Sequence, residues 1–103
     1  MTASMARIEF AAEIVEDFER FLDHQTRFGI ENTGERLAHI ADAIGILATS
    51  PLIGRKVEGG TRELVIGHGS RGCVALYRWL PDIDTVAVLA LRSQREAGYK
   101  RDV

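Results

Sequence analysis

The spacing of apolar residues changes at Ser50-Pro51, and the change divides the chain into two kinds of structure. From Ala11 to Phe28 the large apolar residues are Ile14, Val15, Phe18, Phe21, Leu22 and Phe28. Steps of three and four predict an amphipathic helix, with Glu13, Glu16, Asp17, Glu19, Arg20 and Asp23 on its other, solvated face. Gly29 reads as its terminator, and a second helix starting around Asn32 or Thr33 carries Leu37, Ile40, Ala41, Ile44, Leu47 and Ala48. Ser50-Pro51 closes it, because a residue before proline avoids the helical region. Two helices so closely linked predict an antiparallel helical hairpin.

Beyond Pro51 the period becomes two. Leu52 to Gly60 reads as a connecting loop, followed by strands over Arg62–Ile66, Cys73–Trp79 and Thr85–Arg92. Gly67-His68-Gly69-Ser70-Arg71-Gly72 and Pro81-Asp82-Ile83-Asp84 are the turns between them, too short for parallel crossovers, so the strands form an antiparallel meander. A brief alternation in Arg7-Ile8-Glu9-Phe10 adds an N-terminal strand with Ile8 and Phe10 inward. The expected fold class is α+β, a helical hairpin packed on one face of a small antiparallel sheet.

A chain of 103 residues suits one domain over residues 1–103, and 46% hydrophobic content supplies its core. A single cysteine, Cys73, cannot close an intrachain disulfide and reads as a buried small residue. Without a Cys/His group of zinc spacing, no structural metal and no cofactor are expected. Apolar runs such as Val86 to Leu91 fall far short of the roughly 20 residues of a membrane helix, and Met1 to Met5 lacks a leader pattern, so a cytoplasmic, non-membrane protein is expected. The net charge of −2 is unevenly spread. Residues 1–51 carry four basic against nine acidic side chains, a formal −5, while residues 52–103 carry nine against six, a formal +3. An anionic partner is therefore expected to meet the second half.

Several short motifs in that half occur in a telling order: Pro51-x-x-Gly54-Arg55, then Arg62-Glu63-Leu64 opening a strand, then Tyr77-Arg78, then a closing strand running into Gln94-Arg95-Glu96-Ala97-Gly98-Tyr99. Together with the runs SPLIGRKVEGGTRELVIG, CVALYRW and TVAVLALRSQREAGY, they resemble the RelE/ParE superfamily of bacterial toxins over nearly the whole chain, about Arg7 to Tyr99. The resemblance implies a small cytosolic growth inhibitor encoded beside a cognate antitoxin that masks it. It implies contact with operator DNA only indirectly, through that antitoxin.

Two mechanisms within the superfamily stay open. RelE-like members cleave mRNA on the ribosome, and ParE-like members inhibit DNA gyrase without hydrolytic chemistry. For the endoribonuclease branch the resemblance points to Tyr99, with Arg78, Arg92 and Arg95 as phosphate contacts. The match is incomplete, because Ser93 stands where such nucleases tend to carry arginine and the Arg62–Ile66 strand holds no lysine. The acidic total also suits a protein target better than a site built of RNA phosphates. The ParE-like branch is therefore favoured, with Arg55, Arg62, Arg78, Arg92, Arg95 and Tyr99 as the partner-binding candidates. A degenerate member that keeps antitoxin binding and co-repression but has lost toxicity is a third reading.

Each candidate has a plainer reading beside it. Tyr99 serves equally as a cover for the sheet, Arg78 as a solvated strand residue, and Arg92, Arg95, Lys100 and Arg101 as a solvated end. His24 and His39 read as surface residues, and His68 as a turn residue without a catalytic task.

Overall fold

A computed structural model describes residues 5–27, 33–67, 72–94 and 99. Gly29 as helix terminator, His68 and Arg71 in the turn, and Arg95, Lys100 and Arg101 in the tail lie outside the described residues. So do Phe28 and the side chains of Leu22 and His24.

The elements run β1 (Arg7–Phe10), α1 (Ile14–Arg27), α2 (Thr33–Gly45), β2 (Arg55–Val57), β3 (Thr61–Ile66), β4 (Cys73–Leu80) and β5 (Thr85–Ser93). A one-turn 3-10 helix, Ile46–Ala48, extends α2, and another, Pro81–Ile83, lies in the β4–β5 turn. The five strands form one sheet in the order β1-β5-β4-β3-β2. As expected, β3, β4 and β5 are antiparallel neighbours. The N-terminal strand joins the far edge, parallel to β5, with Arg7 opposite Thr85 and Phe10 opposite Val88. The intervening helices provide the long crossover that a parallel pair needs.

In β2 and α1 the structure departs from the sequence reading. The segment expected as a loop from Leu52 to Gly60 contains the short strand β2, which pairs antiparallel to β3. Three residues with a single apolar side chain carry too little pattern to be read as a strand. Its hairpin turn needs Gly59 and Gly60, whose φ values of 83° and 74° favour glycine. In α1 the burial of two neighbours is reversed. Val15 is 58% exposed while Asp17 is 2% exposed, because Ile14, Asp17, Phe18 and Phe21 make the stripe that faces the sheet. Asp17 is thus no part of the solvated face.

The buried aspartate has a defined task. β1 accompanies β5 only as far as Val88, so among the described residues no strand lies beside the edge beyond. Asp17 Oδ2 accepts the Leu91 N–H at 2.9 Å, and Arg20 donates to the Leu91 carbonyl at 3.1 Å. Arg20 and Asp17 also pair at 3.1 Å. The two side chains therefore bond both backbone groups of Leu91, in place of a neighbouring strand, which meets the demand of buried backbone polar groups. Close by, the β4–β5 ladder shifts by one residue: Leu76 pairs with Ala90 and Tyr77 with Val88, a β-bulge at Leu89.

The core lies between the helices and one sheet face. Ile14 and Phe21 from α1, Ile40 and Ile44 from α2, and Leu47 meet Ile66, Cys73, Ala75, Tyr77, Val86, Val88 and Leu91 from the strands. Cys73 is buried, as expected. Ile8 packs against this cluster, but Phe10, expected inward, is 50% exposed. It stands at the end of β1, where it forms one wall of an apolar groove with Val15, Phe18, Leu37, Ala41 and Ile44. Among the described residues, no helix is long and apolar enough to cross a membrane.

Candidate functional site

Strand alternation assigns the other face of the sheet. Leu64 and Ile66 contact the core, so Thr61, Glu63 and Val65 of β3 face away from the helices. Glu63 pairs in register with Arg55 on β2 and with Leu76 on β4, and Leu76 with Ala90 on β5. These residues, with Arg92 two positions beyond Ala90, form the middle of this second face.

Three polar side chains converge on one carboxylate of that face. Arg55 donates from Nε at 3.1 Å and from Nη2 at 2.8 Å to Glu63 Oε1. Tyr99 donates its hydroxyl proton to Glu63 Oε2 at 2.8 Å. Arg92 reaches the same oxygen at 3.8 Å, and its guanidinium lies 5.3 Å from the centre of the Tyr99 ring, within cation–π range. The cluster thus joins β2, β3, β5 and the tail. Glu63 is largely buried, with a side chain 10% exposed.

Electrostatics follow from this packing. Burial pushes the Glu63 carboxyl up, but the hydrogen bonds from Tyr99 and Arg55, with the charges of Arg55 and Arg92, outweigh it and hold the group below the ordinary glutamate range. Burial, the hydrogen bond to Glu63 and the negative charge of Glu63 push the Tyr99 phenol far above its usual value, with Arg92 opposing only in part. Glu63 is therefore ionised and Tyr99 neutral at physiological pH. A phenol in this state is a hydrogen-bond donor already in use, not a proton acceptor.

The remaining candidates separate. Arg62 belongs to the helix-facing side of β3, where it donates to the carbonyls of Leu52 at 3.1 Å and Gly54 at 2.8 Å. Tyr77, fully buried, accepts the Gly54 N–H at 2.8 Å and donates to the Pro51 carbonyl at 2.8 Å. A Cβ on Gly54 would stand 2.6 Å from the Tyr77 hydroxyl and 2.8 Å from the Glu63 carbonyl, so the Pro51-x-x-Gly54 motif is a packing requirement. Arg78 shares the face of Glu63 but lies further along β4, its Nη1 close against Gly60. Ser93 is 1% exposed, opposite Cys73, and offers nothing to the solvent. Arg95 lies outside the described residues.

Sequence reading named Arg55, Arg92 and Tyr99 but assigned no role to Glu63, the residue that brings them together. Its signal was an acidic side chain at a strand position that alternates with core residues. Its cross-strand partner was hidden in the segment read as a loop.

No family model matches the sequence, and no curated protein matches it. Solved structures do. A chain of the toxin-antitoxin complex RelBE2 from Mycobacterium tuberculosis is 19% identical and aligns over 87% of this chain and 99% of its own, with a TM-score of 0.60. A chain of the chromosomal ParDE toxin-antitoxin system from P. aeruginosa is 18% identical over 88% of this chain and 98% of its own, with a TM-score of 0.70. A mutant of the E. coli toxin RelE in its free state is 11% identical over 90% of this chain and 87% of its own, with a TM-score of 0.63. At these identities the likeness is one of fold.

Proposed function

From the fold that this chain shares with RelE and ParE toxin structures, we propose that it is the toxin of a type II toxin-antitoxin pair, that it arrests growth by binding DNA gyrase, and that a cognate antitoxin neutralises it. The fold supports the toxin role, and the choice of target is carried by one observation. Tyr99, the side chain that the nuclease reading requires for proton transfer, donates a hydrogen bond to Glu63. Cleavage of RNA through its 2′-OH needs a proton acceptor, cations on the phosphate and help for the leaving oxygen. Here the phenol is held neutral, and Arg55 and Arg92 are turned toward a protein carboxylate. That arrangement favours recognition of a protein surface by arginine and aromatic side chains.

The antitoxin has a separate place in this reading. The groove of ≈ 380 Å³ between α1, α2 and the end of β1 is almost wholly apolar and leaves Phe10 and Val15 half exposed. An amphipathic helix is the kind of segment that fills such a groove. Inducing the chain alone in a bacterial host tests the proposal: growth should stop, and the product of the adjacent gene should restore it. Unimpeded growth of cells that accumulate the folded chain would refute the toxin role.

A further inference from the structure

We propose that Glu63 decides what this second face of the sheet accepts: its carboxylate occupies an anion site built by Arg55, Arg92 and Tyr99, and thereby excludes the phosphodiesters of single-stranded RNA. The inference rests on the reading above that RNA is not the target of the natural protein.

The donors are arranged as an anion site requires. Arg55 presents two N–H groups to one oxygen, Tyr99 a hydroxyl to the other, and Arg92 a second guanidinium. They come from β2, the tail and β5, so the site is assembled by the fold and not by one local turn. Arginine forks suit phosphate as well as carboxylate. The Tyr99 ring beneath Arg92 adds an aromatic surface of the kind on which bases stack. The face therefore holds the components of a single-strand binding site around a carboxylate of its own, which engages both guanidiniums and repels a second anion.

The test is fluorescence anisotropy at low salt, with the full chain and a labelled single-stranded RNA decamer. Glu63→Gln keeps the side-chain shape and removes the charge. It should bind the decamer at least about tenfold more tightly than the natural chain, with a salt dependence steeper by about 0.7 for each phosphate newly engaged. Adding Arg92→Gln to that variant should abolish the gain. Val65→Lys provides an independent arm that leaves the buried carboxylate untouched. Val65 is 47% exposed, two residues from Glu63 on the same face, and a lysine there should also produce a measurable, smaller gain.

If a folded Glu63→Gln binds no better than the natural chain, the inference is wrong while the proposed function stands. Where Glu63→Gln does not fold, Glu63→Ser, which also removes the charge, is read in its place with the same two outcomes, and Val65→Lys gives the gain that one added positive charge produces with the carboxylate kept. Tight binding of the decamer by the natural chain would overturn both readings.

Discussion

The Tyr99 hydroxyl lies 2.8 Å from Glu63 Oε2, so the last aromatic side chain of the sequence is tied to β3, 36 residues earlier. The carboxylate is shared with Arg55 and Arg92, which makes the contact the centre of a network and not an isolated bond.

The chain has only two tyrosines, and both phenols are raised by burial, with Glu63 adding to the effect at Tyr99. Their folded-state pKa values exceed the unfolded value of about 10. Each contribution to stability is thus fully present below that pH and is lost as pH rises through the folded value. A spectrophotometric titration of the native chain should show no tyrosinate forming near pH 10, with ionisation appearing together with alkaline unfolding. A reversible native titration near pH 10 would contradict the Tyr99–Glu63 contact.

Glu63 has the opposite sign. Its folded pKa lies below the unfolded one, so its contribution is present above the unfolded value of about 4.3 and is lost as pH falls through the folded value. Glu63→Gln should be less stable than the natural chain at pH 7. The gap in melting temperature should narrow as the pH is taken well below 4. A gap independent of pH would show that the carboxylate charge contributes nothing.

Asp17→Ala removes the acceptor for the Leu91 N–H and the carboxylate that pairs with Arg20 at 3.1 Å. The Leu91 N–H left without its acceptor costs about 1–3 kcal/mol, and the part-buried pair with Arg20 adds to it, so urea denaturation should show a clearly lowered midpoint. Val15→Ala, on the exposed side of the same helix, should cost under about 1 kcal/mol. Equal costs would contradict the observed orientation of α1.

The groove separates neutralisation from toxicity. Phe10→Asp or Val15→Asp introduces a charge into the apolar lining while leaving the Glu63 cluster intact. Either variant should still arrest growth and should require at least about tenfold more antitoxin for rescue, a loss equivalent to about 1.4 kcal/mol of binding free energy. Normal rescue of both variants would place the antitoxin elsewhere.

How far the sequence revealed this depends on the range of the interaction. Periodicity located both helices and four strands, because Ile14, Phe18 and Phe21, or Val86 and Val88, repeat within one element. It missed β2, which exists through pairing with β3, and misplaced Asp17, whose burial depends on a backbone N–H 74 residues away. The functional candidates Arg55, Arg92 and Tyr99 were legible from the resemblance to known toxins. The carboxylate that couples them was not, since cross-strand register brings Glu63 to Arg55 and only the path of the chain brings Tyr99 to both.

The most direct measurement of the central claim uses the purified chain in two reactions side by side: DNA supercoiling by gyrase, and mRNA on translating ribosomes. Supercoiling should be inhibited and the mRNA should remain intact, with Tyr99→Phe retaining most of the inhibition because the phenol transfers no proton. Cleaved mRNA with supercoiling unaffected, and loss of that cleavage in Tyr99→Phe, would contradict the account.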